Sequence, residues 1–195
     1  MKPQTTIKNF LKYGILITGA VLAIMHFIPA LSESFPKIWS YLATMALPFG
    51  MDVLRFLGLK ISKRFEIAYL LFIIPAMILG IDLDIYKIFY PFDKIVHCLS
   101  GVLAAFGARE IIEQASGKPD QAWFRALFSI CFVAFTAAVW ECFEFSCDQI
   151  AGQHMQELIA PGLSDTMWDI IVALIGGVVG TVLAFPAKRI NNTKN

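Results

Sequence analysis

Six long apolar runs alternate with short polar stretches along the chain, at about 13–30, 38–58, 65–81, 92–112, 123–147 and 166–185. Each approaches the roughly 17–25 residues that a helix needs to cross a bilayer. In lipid every backbone polar group must be satisfied internally, so runs of this length predict helices. The expected fold is all-α: a polytopic transmembrane helical bundle of about six spans, forming a single integral membrane domain over 1–195.

The runs are not equivalent. Pro48, Gly50, Asp52 and Arg55 interrupt the second, which reads as a kinked span or a re-entrant piece. The fourth is polar for a lipid-facing helix. The first follows Lys2, Lys8 and Lys12, as the apolar core of a signal peptide would. Pro29-Ala30-Leu31-Ser32 is a poor small-x-small cleavage site, so this run is read as a retained span.

Composition supports the membrane reading. The chain of 195 residues is 57% hydrophobic and 16% charged, too apolar for an ordinary soluble domain. A net charge of +1 with no basic patch excludes nucleic acid as a partner. Membrane lipids are the expected surroundings, and composition leaves the oligomeric state open. The four cysteines lie in apolar runs without a C-x-x-C motif and read as small buried hydrophobes.

Charge sets the expected orientation. With all six runs crossing and a cytoplasmic N-terminus, Lys37, Lys87 and Lys94 are the outer cations, and the rest of the 16 lysines and arginines fall inside. Both termini are then cytoplasmic, in a bacterial inner membrane. Ten of the 15 acids sort to the outer side. Glu33, Glu157, Asp82 and Asp84 read as solvated loop acids. Asp52 and Arg55 are expected to pair, and so are Arg109 and Glu110. Trp39, Trp123, Trp140 and Trp168 fall near run ends, as in an interfacial aromatic belt.

The remaining acids form stripes. Asp93 and His97 are four residues apart, hence on one helix face, and Ser100, Gly101 and Ala104 continue it. Glu141, Glu144 and Asp148 share a face with Ala134 and Ala137. Asp165 and Asp169 share one with Ala173, Gly176 and Gly180. Small residues let membrane helices approach closely, so the faces that pack also carry the acids. All three acidic ends fall on the outer side and are expected to meet.

So many carboxylates cannot all stay ionised in a partly dry pocket without a cation or protons. Carboxylates with one imidazole suit a divalent metal: Mg, Mn, Ca or Zn. Asp93, His97, Glu141, Glu144, Asp165 and Asp169 are the candidate ligands, and Asp148 a ligand or catalytic general base. Plainer roles stand beside these. Asp93 and Asp165 suit helix N-termini; His97 suits an interhelical hydrogen bond; Asp148 suits a solvated helix end. The loop 148–157, which carries no lysine or arginine, is read as a lid, and His154 as a solvated histidine.

Several blocks resemble a known family. They are Ile78-Leu79-Gly80 through Tyr86, Tyr90-Pro91-Phe92-Asp93-Lys94-Ile95-Val96-His97 with Ser100-Gly101, and Trp140-Glu141-Cys142-Phe143-Glu144-Phe145 through Asp148 to Met155-Gln156. Gly162-Leu163-Ser164-Asp165-Thr166-Met167-Trp168-Asp169 with Gly176-Gly177 completes the set. Together they are similar to the uncharacterised bacterial inner-membrane proteins of the YjdF type. The resemblance implies a small polytopic membrane protein sharing these acids, and brings no reaction with it. A looser likeness to VanZ-like proteins lacks their Glu-x-x-Gln followed by arginine, so a role in glycopeptide resistance would be analogy alone.

Three functions remain open. The first is a metal-dependent hydrolase or transferase acting on a phosphorylated or lipid-linked envelope substrate. The second is a proton- or cation-coupled transporter, although no inverted repeat is visible. The third is a non-catalytic membrane scaffold.

Overall fold

The computed structural model describes residues 3–29, 31, 37–115, 121–151 and 162–186. Among the described residues every regular element is helical, as expected. In order they are α1 (Pro3–His26), α2 (Ile38–Ala46), a 3₁₀ turn (Leu47–Phe49) and α3 (Gly50–Phe56). Then come α4 (Lys63–Ile73), a π-helix (Ile74–Asp82), α5 (Ile85–Ile88), α6 (Pro91–Gln114), α7 (Ala122–Ala151) and α8 (Gly162–Ala184). Residues 148–151 of the expected lid continue α7 instead of forming a loop, and the rest of it, with His154, lies outside the described residues.

Among the described residues, five helices are long and apolar enough to cross a membrane: Pro3–His26, Lys63–Asp82, Pro91–Gln114, Ala122–Ile150 and Leu163–Ala184. The interrupted second run is the exception. Pro48 sits in the 3₁₀ turn that separates α2 from α3. Polar partners nevertheless show that α2–α3 runs the full path of its neighbours. At its start, Lys37 pairs with Asp84, beyond the π-helix, at 2.6 Å. At its end, Arg55 pairs with Glu66, in the first turn of α4, at 2.5 Å. A kinked helix over 38–56 rises ~28 Å at 1.5 Å per residue, about the thickness of the hydrocarbon core.

Ion pairs gather at two opposite ends. At one, Lys12 pairs with Asp52, Lys8 with Glu66, and Arg55 with both acids. Ser62 caps α4 by accepting from the Phe65 N–H at 3.2 Å, and its own hydroxyl donates to Glu110 of α6 at 2.6 Å. Asp52 and Arg55 pair as expected, at 3.2 Å, within this wider network. Arg109 does not pair with Glu110: its guanidinium binds Glu113 at 2.6 Å, one turn on. Adjacent helical residues point about 100° apart, so Glu110 is free to face Ser62.

The other end holds a second correction. Asp82 is not a solvated loop acid. It is 5% exposed and accepts from the Thr44 hydroxyl at 2.8 Å. The π-helix carries the chain past the expected end of the third run. Pro75 lies in its first turn, where a missing N–H favours wider winding.

Asp84 follows in the left-handed region, at φ 60°. Burial works against its charge, but the ammonium groups of Lys37 and Lys87 outweigh burial and hold the carboxyl below its ordinary range. Its stabilising contribution is complete above the unfolded value of about 4 and is lost as pH falls through the lower folded value. The side chain is 41% exposed, so screening limits the contribution to under about 1 kcal/mol. Asp84→Asn, which tolerates the same backbone, should lower the melting temperature slightly near pH 7 and not near pH 2. An equal shift at both values would show that charge is not the cause.

Candidate functional site

Two glycine contacts set the geometry of the site. A Cβ on Gly101 of α6 would collide with the Ala173 carbonyl of α8, and a Cβ on Gly176 with the Cys98 carbonyl of α6. Further in, a Cβ on Gly180 would lie 2.8 Å from that of Ala105. The stripes Gly101 and Ala173–Gly176–Gly180 therefore pack as the spacing predicts, backbone on backbone. The pairings 101 with 173 and 105 with 180 make α6 and α8 parallel. One turn back from the crossing, the same register places His97 opposite Asp169. Helix α7 closes the third side: Val133 would crowd a Cβ on Gly177 at 2.7 Å, and the Ser129 hydroxyl meets Thr181 at 2.8 Å. Two turns beyond Val133 on that face stands Glu141.

Pro91 occupies the first turn of α6, where its missing N–H costs nothing. Asp93, in that turn, and His97, one turn on, are both buried, as are Glu141 of α7 and Asp165 and Asp169 of α8. His97 lies among carboxylates: its Nε2 is 3.6 Å from Asp93 and 3.7 Å from Asp169, and its Nδ1 is 4.0 Å from Glu141. Among the described residues, Asp93, His97 and Asp169 form a group whose ligand atoms all lie within 4.8 Å of one another.

The structure thus brings five expected residues together and sets two further out. Asp165 joins through Lys94, and Glu141 through His97 and the Thr166 hydroxyl. Glu144 accepts from the Trp140 indole at 2.7 Å, one helical turn away. Asp148 lies half-buried, one turn beyond Glu144 near the end of α7. Trp140, expected near a helix end, instead lies well inside α7 and orients an acid.

Lys94 is the residue that spacing along the chain missed. Its ammonium reaches Asp165 at 2.5 Å, Asp169 at 2.6 Å and Asp93 at 3.0 Å. It sits about 100° off the Asp93–His97 stripe, and its long side chain swings across to α8. The signal available was a lysine directly after a buried acid. Even so, four carboxylates, those of Asp93, Glu141, Asp165 and Asp169, face one ammonium and one imidazole, which leaves negative charge for protons or a further cation to offset.

Tyr86 of α5 closes one edge, with its hydroxyl donating to the Ala76 carbonyl at 3.1 Å. Burial pushes its phenol well up, and the charges of Asp93, Glu144 and Asp169 add to this, so it remains a neutral donor. All four cysteines are free, and none is buried as expected: Cys98 and Cys147 are half-buried, and Cys131 and Cys142 are exposed on the outside of the bundle.

A family model described as "Predicted membrane protein (DUF2238)" matches residues 11–189, almost the whole chain. No curated protein and no solved structure matches.

Proposed function

We propose that this chain, which belongs to the DUF2238 family of predicted membrane proteins, holds a divalent metal at Asp93, His97 and Asp169. The observation that carries the reading is the 4.8 Å grouping of these three ligand atoms, buried at one end of a membrane bundle. Two carboxylates and an imidazole suit Mn²⁺ or Zn²⁺ well, and Mg²⁺ or Ca²⁺ with added water or substrate oxygens. Glu141, Glu144 and Asp165 complete the acidic surround, and Asp148 is the outlying candidate base. A bound ion polarises a phosphoryl or acyl oxygen or activates water. The reaction class is then hydrolysis or transfer on a phosphorylated or lipid-linked envelope substrate.

The lysine bias supports a reading in which this end lies at the outer face of a bacterial inner membrane, with both termini cytoplasmic. The motif likeness to YjdF-type proteins, over 78–180, falls inside the stretch matched by the family model.

Metal content of the purified chain tests the reading. Near-stoichiometric metal is expected in the wild type, lost in an Asp93→Asn, Asp169→Asn variant of equal fold. No metal in either, even after loading with divalent ions, sinks it.

Lys94 favours a second reading. An ammonium already bridging Asp93, Asp165 and Asp169 is a cation in the place a metal would need. With His97 between Asp93, Asp169 and Glu141, the cluster then serves as a proton relay in a coupled transporter. Ion-dependent flux in proteoliposomes, abolished by Glu144→Gln, is its signature.

A further inference from the structure

A cavity of about 920 Å³ lies between α2–α4 on one side and α6–α7 on the other. Its volume falls in the range of roughly 300–1,000 Å³ usual for ligand pockets. It runs from Asp93, His97 and Glu144 at one end of the bundle to Glu110 and Gln114 at the other. Between these ends the walls are hydrocarbon: Phe72 and Ala76 face Leu103, Ala104 and Phe132. Two wall hydroxyls do not change this. Ser100 donates to the His97 carbonyl at 2.7 Å, and Thr136 to the Val133 carbonyl at 2.9 Å. Both spend their one proton on their own helices, so each leaves only oxygen lone pairs toward the cavity.

We infer that the cavity holds the hydrocarbon chain of a single membrane lipid, with its phosphate-bearing headgroup at the Asp93–His97 end. An amphipathic space selects an amphipathic ligand. The apolar walls match a chain, and the depth of the bundle gives it the length of a long acyl or prenyl tail. The acidic end repels a bare phosphate, so a phosphate headgroup enters with a metal or beside Lys37 and Lys87, which also line the cavity. The inference names the substrate class of the metal site, and rests on that reading for the headgroup alone.

The test uses the full chain in phosphatidylcholine vesicles carrying a small fraction of phosphatidic acid with a diazirine in its tail. Irradiation, digestion and mass spectrometry map the label. The expected result is label on the Phe72–Ala76 and Leu103–Ala104 walls, above that on the outward-facing Val182. Ala104→Phe and Ala76→Phe, from opposite walls, should each lower wall label roughly tenfold while sparing Val182, because a ring displaces at least two methylenes. Label confined to outward faces, or wall label unchanged by both variants, overturns the inference. If neither variant folds, the wild-type map decides alone. Repeating the map in chelator separates the two proposals: wall label that persists there supports the cavity even if no metal binds, and metal binding without wall label leaves only the metal site.

Discussion

Gly176→Val is expected to abolish the folded bundle rather than weaken it. A Cβ at this position meets the Cys98 carbonyl of α6, which is main chain and cannot change rotamer. Ordinary overpacking costs about 1–3 kcal/mol because neighbouring side chains shift. Here two helices must separate, opening the α6–α8 contact along its length, so the loss should exceed about 3 kcal/mol. Gly14 is the matched control. It lies in α1, and a Cβ there would meet no atom within 4 Å, so Gly14→Ala should stay within about 1 kcal/mol of wild type. Monodispersity and thermal melts in detergent read both. A Gly176→Val protein that melts like the Gly14→Ala protein would show that the helices do not cross as described.

The second large effect is expected from Lys94→Met. The substitution keeps much of the stem and removes the ammonium that Asp93, Asp165 and Asp169 share. Removing one partner from a buried ion pair typically costs about 3–5 kcal/mol, because the charge left behind has lost both water and partner. In chelator the variant should therefore melt well below wild type. Adding a divalent ion should recover about 2.7 kcal/mol at a hundredfold excess over its dissociation constant, since the metal takes over the lysine's role. Recovery by acid alone, with no response to metal, would favour the proton relay. A melting temperature unchanged from wild type would mean that Lys94 does not balance these acids at all.

Much of this arrangement is legible in spacing. A period near 3.6 places Asp93 with His97 and Asp165 with Asp169, and the small residues below them show which faces touch. What spacing does not show is reach. Lys94 stands off the stripe at its Cα and enters the cluster only through a long side chain. The network of Lys8, Lys12, Asp52, Arg55 and Glu66 joins residues up to 58 positions apart, and no local pattern encodes such pairings. The π-helix is hidden for another reason: wide winding leaves an apolar run apolar, and only Pro75 marks the spot. That winding buries Asp82, which looks like a loop acid when α-helical geometry is assumed. Arg109 and Glu110 look like a pair along the chain, yet neighbours in a helix diverge and each finds a partner elsewhere.

The two polar ends of the bundle lie a membrane's thickness apart, and each therefore meets its own aqueous bath. Whichever way the chain inserts, a change of pH or cation on one side acts on one network and spares the other. Detergent solution removes that sidedness. A titration performed there sums two responses that a sealed vesicle would report one at a time.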